Sequence, residues 1–194
     1  MRIGVFGGSF DPVHFAHLIL AEQAREQVPL DRVLFVPAYR QPLKQSRHQA
    51  RYEQRVEMLE LAVAGYPVFE VSQAEKGRDP SYTVDTLRLL RQQHPTDELC
   101  LVVGSDCLPF LPQWHEPEEI ARLATLAVAV RPDGTESVEP PSYFRFQRLK
   151  MPQVALSSTD LRERVSAGRS IRFQLPRSVE CYIETHRLYR GGSE

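Results

Sequence analysis

Mainly apolar stretches that alternate with helix-patterned segments are the feature that most restricts the fold of this chain. The apolar stretches are residues 3–6, 33–36, 68–71, 99–103 and 126–130. Strands that are apolar on both sides are typical of a parallel sheet covered by helices on both faces. Between them lie amphipathic helical patterns, such as Val56, Leu59 and Val63. The alternation predicts an α/β protein with a doubly wound parallel sheet and helices on both faces, as a single domain over residues 1–194.

The second half of the chain carries weaker signals. Residues 131–143 are rich in proline, serine and acidic side chains, which predicts a surface excursion. A short strand is expected near residues 154–156, and a helical C-terminal portion is expected over about 157–190. Trp114 is expected in a short irregular stretch. In a doubly wound sheet the carboxyl ends of the strands meet in one crevice, and there we expect the ligand.

Composition restricts the class of protein. A net charge of −1 argues against a strongly basic nucleic-acid platform. No apolar run approaches the ~20 residues of a membrane span, and the first residues lack a signal-peptide layout. The cysteines, Cys100, Cys107 and Cys181, are odd in number and form no C-x-x-C pair, which favours free thiols in a reducing compartment. We therefore expect a cytoplasmic small-molecule binder or enzyme with no nucleic-acid or membrane partner, and homo-oligomerisation stays open.

A glycine pair ends the first predicted strand, and two histidines follow where a helix begins. Gly7 and Gly8 allow a tight turn and close approach of a ligand, but neither the P-loop nor the G-x-G-x-x-G pattern is present. His14 and His17 are three apart on a helix, so they share a face and could both donate to phosphate oxygens. No third ligand lies nearby, which disfavours a metal site. A plain turn with surface histidines also fits this segment taken alone.

Three other segments carry candidate binding groups. Ser157, Ser158, Thr159 and Arg162 could gather hydroxyls, helix N–H groups and a guanidinium on phosphates, although a simple N-cap is the favoured explanation when this segment is taken alone. Asp106 and Trp114 follow the strand at 99–103, where they could bind ribose and stack on a planar ring. Lys44 lies in a polar segment after the second strand and either binds phosphate or only solvates its loop.

Assembled, these residues resemble the H-x-G-H nucleotidyltransferases, which have a Rossmann-like fold, and within them the bacterial nicotinate-mononucleotide adenylyltransferases. The resemblance covers essentially the whole chain. Its segments are 7–14 with His17 and Leu18, 80–87, 104–106 with Trp114, 157–159 with Arg162, and the late pattern from Pro176 to Tyr189. The Ser-Tyr-Thr-Val-Asp-Thr-Leu segment at 81–87 is the most specific, because it distinguishes this family from other H-x-G-H enzymes.

The resemblance implies transfer of AMP from ATP to nicotinate mononucleotide, with Mg²⁺ held mainly by the ATP phosphates and water and with no protein metal site. It implies His14, His17, Lys44 and Arg162 as catalytic residues. Implied contacts to ATP come from Gly7, Gly8, Ser9, Phe10, His14, His17, Gly104, Arg131, Ser157, Ser158, Thr159 and Arg162, with Arg131 flanking the adenine. Implied contacts to the mononucleotide come from Lys44, Tyr82, Thr83, Asp106 and Trp114, with backbone groups at 82–83 recognising the nicotinate carboxylate.

Three positions and one segment depart from the family pattern: Ala16 replaces the glycine between the histidines, Ser9 replaces a threonine, Leu156 replaces an isoleucine, and Gln41-Pro42-Leu43-Lys44 replaces Pro-Pro-His-Lys. None of these changes removes a catalytic group. The alternatives that remain are an adenylyltransferase with another acceptor (nicotinamide mononucleotide or phosphopantetheine) and a non-catalytic nucleotide sensor. The preference for nicotinate over nicotinamide is not readable from side chains.

Overall fold

The computed structural model of the chain describes residues 1–40, 49–130 and 139–191. Within these ranges six parallel strands form one sheet in the order β3-β2-β1-β4-β5-β6. The strands are β1 (Arg2–Gly8), β2 (Arg32–Pro37), β3 (Phe69–Val71), β4 (Glu98–Gly104), β5 (Ala124–Ala129) and β6 (Phe146–Leu149). This order reverses direction between β1 and β4, which confirms the predicted doubly wound sheet.

Helices cover both faces of the sheet. They are α1 (Phe15–Gln27), α2 (Tyr52–Val63), α3 (Thr83–Gln93), α4 (Pro117–Leu123), α5 (Ser158–Ser166) and α6 (Arg177–Thr185), with a 3₁₀ helix at Ser105–Gln113. Pro117 occupies the first turn of α4, where its missing N–H costs nothing. None of the helices in the described part of the chain has the length and apolar character needed to cross a bilayer.

Side chains of the strands alternate between two core layers. On β2, Val33 and Phe35 enter the layer formed with α1, α2, α5 and α6, whereas Leu34 and Val36 enter the layer formed with α3 and α4. Both faces of the strand are therefore buried, and this is why the strand sequences are apolar throughout instead of alternating. The two layers share one sheet, so the described residues form one domain.

The pairing of β1 changes along its length. β1 pairs with β2 as far as Gly8 opposite Pro37, but with β4 only as far as Val5 opposite Leu101. β4 continues beside β5 through Gly104. The two central strands thus lose their mutual hydrogen bonds toward their carboxyl ends, which leaves a crevice where the strand order reverses.

Two predictions about secondary structure are wrong. The sixth strand is Phe146–Leu149, and the predicted strand at 154–156 lies in a stretch without regular structure. β6 is an edge strand with three exposed residues and one buried residue, so it lacks the apolar run that marks the other strands. The stretch before Trp114 is helical, as the 3₁₀ helix Ser105–Gln113 with Pro109 and Pro112 inside it. Tight 3₁₀ turns leave no 3.6-residue pattern in the sequence.

Candidate active site

The turn after β1 is shaped by the packing of Phe10 against glycine. A Cβ on Gly8 would lie 2.9 Å from Phe10 Cζ, so a larger residue would displace the ring. Phe10 has a φ of +47°, which is uncommon for a residue with a side chain, and it is buried. Above Gly7 a Cβ would meet nothing within 4 Å. The Phe10 side chain therefore belongs to the core, and Phe10 can offer a ligand only its backbone.

His14 and His17 form a stacked pair at the start of α1. Their ring centroids are 3.8 Å apart with an interplanar angle of 28°, so the predicted shared orientation is confirmed. The His14 backbone N–H donates to His17 Nδ1 at 3.2 Å. Since Nδ1 accepts this hydrogen bond, the proton of the His17 ring is on Nε2, which makes that nitrogen a donor. His14 is buried and His17 is half-buried, so the pair is more than a solvated helix surface.

Asp11 anchors this turn to two distant parts of the chain. Its carboxylate is only 3% exposed and accepts hydrogen bonds from the backbone N–H groups of Gln49 (2.8 Å) and Ala50 (3.1 Å). The Tyr189 hydroxyl donates to the same carboxylate at 2.7 Å. In the sequence analysis Asp11 was only part of the segment 7–14, and this role was missed. Nothing local in the sequence signals it, because the partners lie far away along the chain.

Arg55 stabilises the turn after β1, and the sequence analysis missed this role too. Its side chain is 1% exposed, and Nη1 donates to the Ser9 carbonyl at 2.7 Å. Burial lowers the pKa of the Arg55 guanidinium, while the negative charge of Asp11 opposes this shift. A signal was present in the sequence, because Arg55 is four residues before Leu59 and so falls on the apolar stripe of α2. An arginine on a buried stripe needs a polar partner.

The start of α5 docks directly on the same turn. The Ser158 hydroxyl donates to the Pro12 carbonyl at 2.9 Å, and Arg162 Nη1 donates to the Asp11 carbonyl at 2.8 Å. Arg162 Nη2 also donates to Thr159 Oγ1 at 3.2 Å. The first and last predicted phosphate segments are thus brought together, as the sequence suggested. Because the Ser158 proton is used for docking, the donors of this segment that remain for an anion are helix N–H groups, the Thr159 hydroxyl and the rest of the guanidinium.

Ser157 is the N-cap of α5, since its Oγ accepts the Asp160 N–H at 3.1 Å. The simple capping role considered for the serines is therefore correct for Ser157. Beside the start of α5 lies a cavity of about 520 Å³ whose wall includes Thr159, Arg162 and Arg190. Two guanidinium groups and a hydroxyl give this cavity the donor chemistry of an anion site.

A carboxylate lies over the end of β4. A Cβ on Gly104 would come within 2.3 Å of Asp106 Oδ1, so only glycine leaves room for this side chain to fold back over the strand. Asp106 itself is exposed, whereas Ser105 is buried. An exposed carboxylate held in this way can accept hydrogen bonds from a polar ligand in the crevice.

Aromatic side chains gather at the start of α3. Trp114, at the end of the 3₁₀ helix, and Tyr82 are half-buried and pack on the same core layer. The Tyr82 ring also packs on His115, with centroids 4.4 Å apart. Tyr82 precedes α3 and makes no side-chain capping hydrogen bond with any described residue. The first N–H groups of a helix have no partners within it, so this end can receive a carboxylate.

Two predicted site residues, Lys44 and Arg131, lie outside the described residues. The others fall into two groups on the crevice side of the sheet. One group, around the turn after β1 and the start of α5, offers imidazole, guanidinium and backbone donors suited to phosphates. The other, around Asp106, Tyr82 and Trp114, offers a carboxylate, aromatic rings and a helix start. This arrangement can hold two substrates at once.

Comparisons with known proteins identify relatives over almost the whole length. Residues 5–164 match the model of the cytidylyltransferase-like family. A Thermus thermophilus protein described as "Probable nicotinate-nucleotide adenylyltransferase" is 49% identical over 191 residues, which cover 98% of this chain and 100% of that protein. A Thermomicrobium roseum protein with the same description is 43% identical over 196 residues, covering 97% of this chain and 92% of that protein.

Solved structures show the same fold. The Plasmodium falciparum nicotinic acid mononucleotide adenylyltransferase complexed with NaAD superposes with a TM-score of 0.80 at 17% identity, covering 97% of each chain. The same enzyme complexed with APC gives a TM-score of 0.78 at 17% identity, covering 97% of this chain and 96% of that one. At this level of identity the likeness establishes the fold.

Proposed function

Because the chain belongs to the cytidylyltransferase-like family, and within it to the nicotinate-nucleotide adenylyltransferases, we propose that it transfers AMP from ATP to nicotinate mononucleotide. The products are nicotinate adenine dinucleotide and pyrophosphate, in a step of NAD biosynthesis. The observation that carries the proposal is the docking of α5 on the turn beside the stacked histidines, where Arg162 donates to the Asp11 carbonyl. This docking completes a polyphosphate site from both ends of the chain.

The reaction needs alignment and charge stabilisation more than acid–base chemistry. A phosphate oxygen of the acceptor, already anionic, attacks the α-phosphorus of ATP, and the bond to the bridging oxygen of pyrophosphate breaks. His17 Nε2–H donates to the α-phosphate and the bridging region as negative charge passes to the leaving group. His14, Thr159 and Arg162 hold the remaining phosphate oxygens. Lys44 neutralises phosphate charge and Arg131 flanks the adenine, and both of these roles come from the family resemblance.

The acceptor lies against the second group of residues. The N–H groups at Tyr82 and Thr83 receive the nicotinate carboxylate, helped by the positive end of the α3 dipole. Trp114 stacks on the pyridine ring, and Asp106 accepts hydrogen bonds from ribose hydroxyls. A neutral carboxamide would gain less from the helix dipole than a carboxylate, which favours nicotinate over nicotinamide mononucleotide.

Mg²⁺ belongs with the triphosphate in this proposal. The described residues include no group of three or more His, Cys, Asp and Glu side chains placed to hold a metal ion. Imidazole, guanidinium and N–H donors suit phosphate oxygens whose other lone pairs are taken by a cation and its water. Bound there, Mg²⁺ supplies neutralisation of the charge on pyrophosphate.

The proposal also places the protein in the cytoplasm, with ATP and nicotinate mononucleotide as its partners. All the cysteines (Cys100, Cys107 and Cys181) are free thiols, which suits a reducing compartment. Burial raises the pKa of the Cys107 thiol to about 12, so this thiol keeps its proton at neutral pH.

Pyrophosphate release from ATP with a panel of acceptors tests the function. We expect nicotinate mononucleotide to give the highest kcat/KM, ahead of nicotinamide mononucleotide, phosphopantetheine and FMN. A higher kcat/KM with phosphopantetheine would transfer the proposal to another acceptor. ATP binding without release for any acceptor would identify a nucleotide sensor instead.

A further inference from the structure

Glu75 is a buried acid that the mechanism does not use. Glu75 lies in the loop between β3 and α3 and is 7% exposed. The Thr86 hydroxyl, itself on a residue only 2% exposed, donates to Glu75 Oε1 at 2.9 Å. Thr86 is in the first turn of α3. The Glu75 carboxylate is therefore bonded to the helix whose start, in the proposed function, receives the acceptor.

The same carboxylate reaches the segments on either side of this helix start. Burial raises the pKa of this carboxyl group, and the nearby Ser81 side chain and Tyr39 backbone act in the opposite direction. Ser81 is the residue directly before Tyr82, and Tyr39 follows the end of β2. Glu75 thus lies beside α3, the turn that leads into it and the end of β2.

The turn and the end of β2 are further joined by direct contacts. The Ser81 N–H donates to the Arg40 carbonyl, and the Arg40 N–H donates to the Ser81 side-chain Oγ, each at 3.0 Å. The Arg40 side chain pairs with Asp79 at 3.0 Å. These contacts hold residues 79–81 against the segment that follows β2.

Keeping an acid at this position has a cost. Burial raises the pKa of Glu75, whereas the hydrogen bond from Thr86, the nearby polar groups of Ser81 and Tyr39 and the charge of Arg78 act in the opposite direction. An apolar side chain of similar volume would avoid the desolvation but could not accept the Thr86 hydrogen bond. The connection itself is therefore what distinguishes Glu75 from an ordinary core residue.

We propose that Glu75 is a positioning residue that holds the backbone at Tyr82 and Thr83 in the arrangement that receives the carboxylate of the acceptor. This inference rests on the proposed function, because it assigns Glu75 to the acceptor end of that site. Glu75 touches neither substrate. Its hydrogen bond to Thr86 lies at the acceptor end of the crevice, so the KM of the acceptor depends on it and the KM of ATP does not.

Glu75→Met and Thr86→Val test the proposal, because each removes the hydrogen bond between Thr86 and Glu75 while nearly keeping side-chain volume. Losing a hydrogen bond to a charged group is worth about 1.5–3 kcal/mol, so we expect the KM for nicotinate mononucleotide to rise about 10- to 150-fold in Glu75→Met. Thr86→Val should raise the same KM by a smaller factor. Thr86→Ser, which keeps the hydroxyl, should behave like the wild type. KM for ATP should stay within about twofold in all three variants.

The double variant and a binding measurement separate positioning from loss of stability. If the two side chains act together, Glu75→Met combined with Thr86→Val should raise KM little more than Glu75→Met alone. Calorimetric titration with nicotinate mononucleotide in the absence of ATP should show the same loss of affinity. Equal rises of both KM values, or an unchanged acceptor KM in Thr86→Val, would overturn the proposal. A wild type that releases no pyrophosphate with this acceptor would instead overturn the proposed function.

Discussion

Among single residues, His17 gives the most specific prediction, which concerns the donor at its Nε2 atom. The other ring nitrogen accepts the His14 N–H, so substitutions of His17 can separate the two roles. His17→Asn keeps an acceptor near the position of Nδ1 but has nothing at Nε2. We expect kcat to fall about 10²- to 10³-fold in His17→Asn, with little change in ATP affinity, because only the donor to the transition state is lost. Steady-state kinetics and ATP titration measure both.

His17→Gln is the matched variant, because its amide reaches the position of Nε2 and can donate there. It should recover part of the lost kcat while failing to accept the His14 N–H. An unchanged kcat in His17→Asn would remove His17 from the chemical step. A loss of ATP affinity equal to the loss of kcat would show instead that His17 only binds ATP.

Tyr189 gives a residue-scale prediction about stability and pH. Burial, followed by the charge of Asp11 and the hydrogen bond to it, raises the pKa of the Tyr189 phenol. Tyr189→Phe leaves a buried carboxylate with one donor fewer, so the free energy of unfolding should fall by about 1.5–3 kcal/mol at pH 7. The native phenol keeps its proton above pH ~10, where an unfolded tyrosine loses it. The wild-type advantage is therefore complete below pH ~10 and shrinks as the pH rises further.

Urea unfolding of wild type and Tyr189→Phe between pH 7 and 11 measures this difference. Tyr66→Phe, at a 60% exposed tyrosine, is the control and should leave the free energy of unfolding at pH 7 unchanged. A difference between wild type and Tyr189→Phe that grows above pH 10 would contradict the assignment of the hydrogen bond to Asp11.

Among the elements, α5 matters because its docking on the turn after β1 builds the phosphate site. Arg162 donates with both Nη atoms, to Asp11 and to Thr159, and a lysine cannot reproduce this planar geometry. We expect Arg162→Lys to raise KM for ATP about 10- to 100-fold, because the helix start loses part of its connection to the turn. Arg164→Ala removes a neighbouring arginine whose partner is the Ser170 carbonyl, away from the turn.

Kinetics with ATP varied at saturating acceptor compare the two variants. Arg164→Ala should stay within about twofold of wild type, since it leaves every contact of the turn intact. If both arginine variants raised KM alike, general loss of positive charge would explain the effect and the docking would not.

The sequence predicts elements well where burial imposes a pattern. β1, β2, β4 and β5 are buried on both faces, so their apolar runs identify them without ambiguity. β6 is exposed along three of its four residues and was misplaced for that reason. The site was predictable where a local motif holds the group, as for His14 and His17. The contact between Asp11 and Tyr189 was missed because the two residues are 178 apart in the sequence and no local pattern indicates it.

At the scale of the whole molecule, the strand order decides which segments meet. Placing β1 beside β4 brings residues 7–17 and residues 104–106 to one crevice, and the return of α5 closes the phosphate side of it. The sequences of the buried strands do not reveal this order, since β1, β2, β4 and β5 are all apolar. A prediction of the site therefore needed the chemical complementarity of its segments, and only the fold shows that they converge.

Mg²⁺ and ATP should affect the stability of the whole protein differently. If Mg²⁺ is carried by the triphosphate, EDTA should abolish pyrophosphate release while leaving the Tm of the nucleotide-free protein unchanged. ATP at about 100 times its Kd stabilises by about 2.7 kcal/mol, which corresponds to a rise in Tm of roughly 5–10 °C for a chain of this size. Mg²⁺ alone should produce no rise, because the described residues offer no acidic cage. Thermal unfolding with Mg²⁺, with ATP, with both and with neither measures the Tm in each condition. A higher Tm with Mg²⁺ alone would reveal a metal site in the protein itself.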